Sequence, residues 1–428
     1  MRKHVLVVIA MAVFVLGGGT SAADVETSAA APGEARSAVL VPAHVHVVRV
    51  GIGKMQSSEE WTAAASATVD AALQEVVGQS TQLTGRELPS ITSDERSTID
   101  EILAVATLVQ MQEYGEGRKN ISSALRAHID RSLGQSLAFL HERTGADYAL
   151  ITLGTQAEQG QELVALGAVG VVASVLYPPL LALPGRTLSY AAMLLVDLRT
   201  GQVRWFNGRS GYEIGGYNFT DLRDSASARK VVSQLLQPYP EIPPKLDQEA
   251  APTVAPNGLL TESVSPVSGG FSFDPPASWR VNVDRRKSII TATRDGPLLN
   301  EIKVQLRGHP YAFPETGQRS SRESSPEQLV QWYAAELQSQ KLDDLQIRAT
   351  SLNAQLAGRT AFRLHFSYRM PIEWGGARIE HVTIGTVVPR GLLLSEFSAP
   401  GRDYFARFLP VFEESTRTIV LEPWKPAR

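Results

Sequence analysis

The chain contains no cysteine at all. Disulfides, thiolate metal sites and a cysteine nucleophile are therefore excluded together, along with the cysteine that carries the anchor of bacterial lipoproteins. An extracellular animal protein of 428 residues would ordinarily be cross-linked, so the composition leans toward a bacterial envelope compartment. An excess of either charge is also missing: 41 Lys and Arg against 44 Asp and Glu leave a net charge of −3. Without a basic excess on the scale of a whole face, nucleic acid is not an expected partner. The basic cluster Arg285-Arg286-Lys287 falls between strand-like runs and reads as a solvated turn. No His-Glu-x-x-His helix and no Gly-x-Ser-x-Gly elbow occurs; Ser210, between Arg209 and Gly211, has the composition of such an elbow but not the spacing.

What is present begins with the basic Arg2-Lys3, an uncharged apolar run from Val5 to Leu16, and the small residues Thr20 to Ala23 before Asp24. Charge, apolar stretch and small-residue exit in that order are the pattern of a secretory signal peptide over residues 1–23. The run is shorter than the roughly 20 apolar residues that a membrane span needs. Small side chains are required one and three positions before the cut, and Ser21/Ala23 and Thr20/Ala22 both qualify. Losing Arg2 and Lys3 brings the mature charge to about −5. The expectation is a periplasmic or secreted protein.

Two stretches read as linkers, residues 24–38 and 240–269. The second follows Pro238 and holds Pro240, Pro243, Pro244, Pro252, Pro256 and Pro266, too many for a helix or a central strand. The chain then divides into modules at 39–239 and 270–422.

In the first module Val45 to Val50 is a strand candidate, and Ser57 with Glu60 has capping-box spacing. Trp61, Ala65, Val69, Ala72, Leu73 and Val76 share one face of the helix that follows. Further helices are expected over 94–113, lined by Ile99, Ile102, Leu103 and Ala106, and over 122–143, lined by Leu125, Ile129, Leu133, Leu137 and Leu140. A strand at 145–151, a hairpin of 188–198 with 202–207 across Arg199-Thr200-Gly201, and a last helix opening at Asp224 complete an α/β layer sandwich. Gly145-Ala146-Asp147-Tyr148, the hairpin Leu194-Leu195-Val196-Asp197-Leu198-Arg199-Thr200-Gly201 with Val203-Arg204-Trp205, and Ala228-Arg229-Lys230 resemble the envelope domain of the TolB amino-terminal and curli-secretion lipoprotein group. That resemblance implies an assembly or partner-binding module at the bacterial outer membrane. The missing anchor cysteine departs from the group, so no lipid tether is carried over.

Residues 163–183 contain no charge and include Leu166, Val169, Val171, Val172, Val175 and Leu176. The length would permit a membrane span, yet Gly167, Gly170 and Pro178-Pro179 interrupt it. A buried or partner-facing insertion is expected, and it is the candidate for peripheral membrane contact.

The second module opens with Phe271 and Phe273 before Pro275-Pro276 and Trp279. A hairpin around Arg294-Asp295-Gly296 follows. Ser325-Pro326-Glu327-Gln328 is a helix start, with Leu329, Trp332, Tyr333 and Leu337 on the apolar side. Phe362, Leu364, Phe366 and Tyr368 alternate with Arg363, His365, Ser367 and Arg369, as in a strand with one wet face. Residues 378–388 and 392–397 continue the meander across Pro389-Arg390-Gly391, and a helix with Tyr404, Phe405, Phe408, Leu409 and Phe412 closes it. The expectation is α+β, a curved antiparallel sheet with helices packed on it. The Phe-Ser-Phe-Asp-Pro-Pro-Ala-Ser-Trp opening and the element order resemble the PsbP-like fold, whose members are mostly accessory or binding factors.

Candidates for chemistry are few. His44 and His46, two apart on a strand, would start a metal site only with a third ligand from elsewhere, and read as partly exposed strand residues. Gly51-Ile52-Gly53-Lys54 lacks the first glycine and the Ser/Thr of a phosphate loop. Asp343-Asp344 and Glu413-Glu414 read as solvated neighbours whose side chains diverge on a helix. Trp205, Phe206, Tyr212, Tyr217 and Phe219 read as core closure in preference to an aromatic ligand loop. No catalytic, cofactor or metal residue is assigned. The expected role is that of an exported, non-enzymatic envelope protein binding a protein partner, with a small-molecule or lipid carrier, or an enzyme with a dispersed site, as the alternatives.

Overall fold

Pro42 cannot donate to a sheet ladder, and the backbone responds by splitting one strand line in two. In the computed structural model, β1 (Arg36–Leu40) and β2 (His44–Gly51) both run parallel to β5 (Tyr148–Gln159), pairing with successive stretches of it. β4 (Leu83–Arg86) pairs with β1, and β3 (Lys54–Ser57) pairs with the end of β2. Beyond β5 come β6 (Thr187–Asp197) and β7 (Val203–Ser210), both antiparallel. The structure describes residues 36–51, 54–117, 131–159, 187–210, 221–237, 263–266, 270–277, 279–284 and 287–422. The expected signal segment 1–23, the expected insertion 163–183 and nearly all of the expected spacer 240–269 lie outside these residues. Among the described residues no helix is long and apolar enough to cross a membrane.

Between the stretches that β4 and β3 cover, the outer amides of Ala43 and of the β2 residues after it meet side chains of α1 (Glu59–Gly78) instead of a strand. Asp70 accepts from the Ala43 amide at 2.6 Å, Ser66 from Val45 at 3.3 Å and Thr62 from Val47 at 3.0 Å. Four helical residues advance about 6 Å and two strand residues about 6.6 Å, so an i, i+4 row can follow alternate strand amides. The helix is capped by Ser58, whose hydroxyl accepts from the Trp61 amide. The expected cap, Ser57, instead ends β3 opposite Val48.

The remaining helices of this half are α2 (Ser93–Gly117), α3 (Ala138–Thr144) and α4 (Ser225–Leu236), the last capped by Asp224. Ala38, Val45, Val47, Leu150, Met193, Leu195 and Trp205 pack on α1 and α4. Val39, Ala149, Ile151, Ala192, Leu194 and Val196 belong to a second apolar cluster, which includes α2. Of the helix expected over 122–143, residues 122–130 lie outside the described set; among the described residues 131–134 are not helical, with Ser132 bridging to Gln202, and a short 3-10 turn (Gln135–Leu137) leads into α3.

The second sheet has the order β11-β12-β13-β14-β10-β9-β8 and is antiparallel throughout. Its strands are β8 (Arg280–Asp284), β9 (Ile289–Thr293), β10 (Glu301–Gly308), β11 (Asp343–Leu356), β12 (Arg359–Arg369), β13 (Arg378–Val388) and β14 (Gly391–Pro400). On one face Phe362, Leu364, Phe366 and Leu394 pack on α5 (Pro326–Ser339), whose Ser325/Gln328 capping box forms as its spacing predicts. On the other, Val382, Phe397 and Ile302 pack with Phe408 and Phe412 of α6 (Ala406–Arg417).

One apolar cluster contains residues of both sheets. Its link is α2, for which the sequence predicts a single apolar face. From Ile102 to Gln110 every residue of α2 is at most 6 % exposed, the signature of a helix enclosed on all sides. Close approach is possible partly because Gly375, at φ +89°, faces it: a Cβ there would meet Thr107 Cβ at 2.9 Å. The Arg131–Asp295 ion pair, 2.7 Å, joins the two halves beside this core. The architecture is thus mixed α/β with two sheets and six α-helices among the described residues.

Candidate functional site

The polar side of β12 also departs from expectation. Arg363, His365, Ser367 and Arg369 were expected to face water, yet Ser367 is fully buried and Arg363 and His365 are half-buried. The turn 401–405 and α6 cover them: His365 stacks on Phe405 with ring centroids 5.1 Å apart, and Arg363 pairs with Glu413 at 2.8 Å. Tyr404 and Phe405 belong to this irregular turn and not to α6, because Arg402 (ψ 125°) and Asp403 (φ 61°) leave the helical region.

Where this turn meets α2, a cleft of about 340 Å³ is lined by Glu101, Val105, Ser136, Arg378, Glu380, Gly401 and Arg402. Each charge at its wall is held from one side. Arg402 donates through Nε to Glu101 at 2.7 Å. Glu380 accepts from His365 at 2.8 Å and lies 3.8 Å from Arg348. Arg378 donates to Ser367 at 3.0 Å and pairs with Asp344. Ser136 donates to Asp403 at 3.0 Å, and burial pushes that carboxyl above its usual range. Serine, histidine and carboxylates therefore share the region without forming a relay: Ser136 bonds Asp403, whereas His365 bonds Glu380.

Asp343 and Asp344 open β11 and do not sit on a helix. Asp344 contacts Arg378 and lies 3.6 Å from Arg369; its bond from Gln346 and the Arg378 guanidinium hold its carboxyl below the usual range. The strand they open, β11, was not expected. It is the outermost strand of its sheet, pairs only with β12 among the described residues, and exposes Ile347 (46 %) and Leu352 (37 %).

A second polar cluster lies on the α5 side of the same sheet. Glu396 accepts from Tyr333 at 2.7 Å and from Gln305, with Lys303 at 3.3 Å. Thr383 in turn donates to the Tyr333 hydroxyl at 3.1 Å. Burial alone would raise the Glu396 pKa, but the Lys303 and Arg307 charges and the Tyr333 hydroxyl outweigh it and bring the value to about 2. His381 stacks on Phe366 at 4.6 Å with its Nε2 buried and unpaired, and burial lowers its pKa to about 4. No sequence spacing signalled this group, because its members come from β10, β13, β14 and α5.

The residues singled out by sequence are placed as follows. His44 and His46 do share a face of β2, with their Nε2 atoms 2.6 Å apart. His46 is buried, contrary to the expected partial exposure, and burial lowers the pKa of His44. Among the described residues no group of three or more His, Cys, Asp or Glu is placed to hold a metal ion. Gly51 and Lys54 are cross-strand partners of antiparallel β2 and β3, so the motif joins strand to strand and not strand to helix as a phosphate loop does. Ser210 ends β7. Trp205 and Phe206 are buried in β7, as expected for core closure, while Tyr212, Tyr217 and Phe219 lie outside the described residues. Glu413 pairs with Arg363.

No family model and no curated protein matches the chain. Solved structures with partial similarity include LpqN of Mycobacterium tuberculosis, described as involved in cell envelope biogenesis (14 % identity, 39 % of this chain and 93 % of that one, TM-score 0.24). They also include the cyanobacterial PsbP of Synechocystis (11 %, 38 % and 92 %, TM-score 0.26) and the Ran-binding protein Mog1p of Saccharomyces cerevisiae (11 %, 38 % and 95 %, TM-score 0.27). Together they amount to a weak resemblance to envelope and PsbP-like folds, and overlaps this low carry no functional information.

Proposed function

We propose that this is an exported, non-enzymatic protein of a bacterial envelope that docks another protein, with the partner adding a strand to β11. The observation that supports this reading is the edge itself. β11 runs for 14 residues, contains no proline, and carries no charge after Arg348. Edge strands are normally blunted by charge, proline or a cover, because their free amides and carbonyls template further pairing. Register shifts along β11–β12 twist this edge, which narrows the partners that can follow it. Export rests on the three-part pattern of residues 1–23 and the absence of cysteine from the chain.

A photo-crosslinker placed at Leu352 tests the docking in intact cells. A discrete adduct that disappears on adding Ile347→Lys supports it. An adduct pattern indifferent to that change refutes strand addition at β11. Mapping the terminus of protein from the envelope fraction tests export; a start at Ala23 or Asp24 is expected, and an intact Met1 on cytosolic protein overturns it.

A further inference from the structure

We propose that the cleft between α2 and β13 binds a small zwitterion, an amino acid or short unblocked peptide, with its carboxylate on Arg402 and its ammonium on Glu380.

Charge balance comes first. The side chains lining the cleft include two guanidinium groups, Arg378 and Arg402, and two carboxylates, Glu101 and Glu380. A dianion such as phosphate would face both carboxylates, and a simple cation would face both arginines. A ligand carrying one charge of each sign is the match for a wall that is neutral in sum but divided in sign.

Available valence is the second argument. Arg402 spends only Nε on Glu101, which leaves the two terminal nitrogens of its fork for a carboxylate. Glu380 gives Oε2 to His365, and its Oε1 lies 3.8 Å from Arg348, too far for a hydrogen bond, so it retains an acceptor for an ammonium. Arg378, by contrast, is committed to Ser367 and Asp344 and serves as a fixed wall.

The charges are also kept apart. Each is tethered to a different neighbour, so Arg402 and Glu380 do not neutralise one another across the cleft. Gly401 lets the chain pass close against Glu380, since a Cβ there would meet Glu380 Cγ at 3.1 Å. A cleft of about 340 Å³ falls at the small end of ligand sites, in keeping with a ligand of one to three residues.

Calorimetry on the full mature chain tests the assignment, with trialanine, N-acetyl-trialanine and trialanine amide as probes. Free trialanine is expected to bind saturably, and each blocked form about tenfold or more weaker, the scale of one charge-assisted contact. Arg402→Gln should weaken trialanine by a similar factor while leaving the already weak amide unchanged. Glu380→Gln should do the same relative to the N-acetyl form. Thermal melts of both variants separate lost binding from lost folding, and Arg402→Lys, which keeps the charge without the fork, should fall between. Equal binding of all three probes, no saturable binding of trialanine, or competition by inorganic phosphate would each overturn the proposal.

Discussion

Replacing His381 by Phe should make the protein more resistant to acid, and the size of the gain can be worked out from the site. The imidazole lies on the Phe366 ring at 4.6 Å with an interplanar angle of 24°, and its Nε2 has no partner. Glu396 and Lys303 face it from β14 and β10, and His365 acts on it from β12. Burial holds its pKa at about 4, against 6.5 for an ordinary histidine. The folded state therefore binds fewer protons than the unfolded chain between these values. A group lowered in this way contributes stability at neutral pH that is lost as pH falls from 6.5 toward 4. Between pH 7 and pH 4.5 the loss is about 2.5 kcal/mol. A phenylalanine is a somewhat larger planar ring that titrates nowhere, so it removes this pH-dependent component while keeping a ring on Phe366, and any packing cost it adds is the same at both pH values. Urea melts of both proteins at the two pH values, at constant slope, give the difference directly. Parallel loss of stability in the two proteins would refute the reasoning.

Three further substitutions test the local structure. Ser58→Ala should cost about 1 kcal/mol by uncapping α1, whereas Ser57→Ala should stay within about 0.5 kcal/mol; equal effects in denaturant melts would return the cap to Ser57. Asp70→Ala strips the Ala43 amide of its acceptor and should cost about 1–3 kcal/mol, with Asp70→Asn recovering most of it; hydrogen exchange at Ala43 should rise in the alanine variant only. Gly385→Ala places a Cβ 2.4 Å from Phe362 and 2.7 Å from Leu394, so a loss of about 1–3 kcal/mol is expected, and a neutral melt would show that this layer has slack.

Much of the fold was legible because its signals are local. The β6–β7 hairpin follows from its turn residues, the start of α5 from a capping box, and the meander β12-β13-β14 from alternation and the Pro389-Arg390-Gly391 turn. What failed did so where tertiary contact overrides a local pattern. α2 shows a tolerable one-sided stripe, but Ala104, Val105, Leu108 and Val109 fill its other sides, and only knowledge of a second sheet explains why. β11 was missed because its apolar alternation changes phase midway, from Leu345-Ile347-Ala349 to Leu352-Ala354-Leu356, where the pairing with β12 shifts register, and most of its length is exposed. Thr62, Ser66 and Asp70 lie off the apolar face of Trp61, Ala65, Val69, Ala72, Leu73 and Val76 and drew no notice. Their i, i+4 spacing is the recoverable signal, since it matches the advance of alternate strand amides, although nothing in the chain marks which strand they serve.

The cleft was invisible for a different reason. Glu101, Ser136, Arg378, Glu380 and Arg402 come from four separate stretches of chain, and none of them stands in a motif. Alternation along β12 even pointed the wrong way, since a row of Arg363, His365 and Ser367 has the pattern of a solvated face. Such a row can equally be a covered face whose polar groups are paired with one another and with a neighbouring element. Deciding between the two needs the partner of each group, and that is what the turn at 401–405 supplies. A helix running straight through Arg402 and Asp403 would not leave the two residues as they stand, with Arg402 reaching back to Glu101 and Asp403 to Ser136. Asp403 accepts a positive φ, unusual for a residue with a Cβ, and the bond to Ser136 helps to hold it there. The same irregular turn thus ends the sheet, breaks the helix and assembles the charged wall of the cleft.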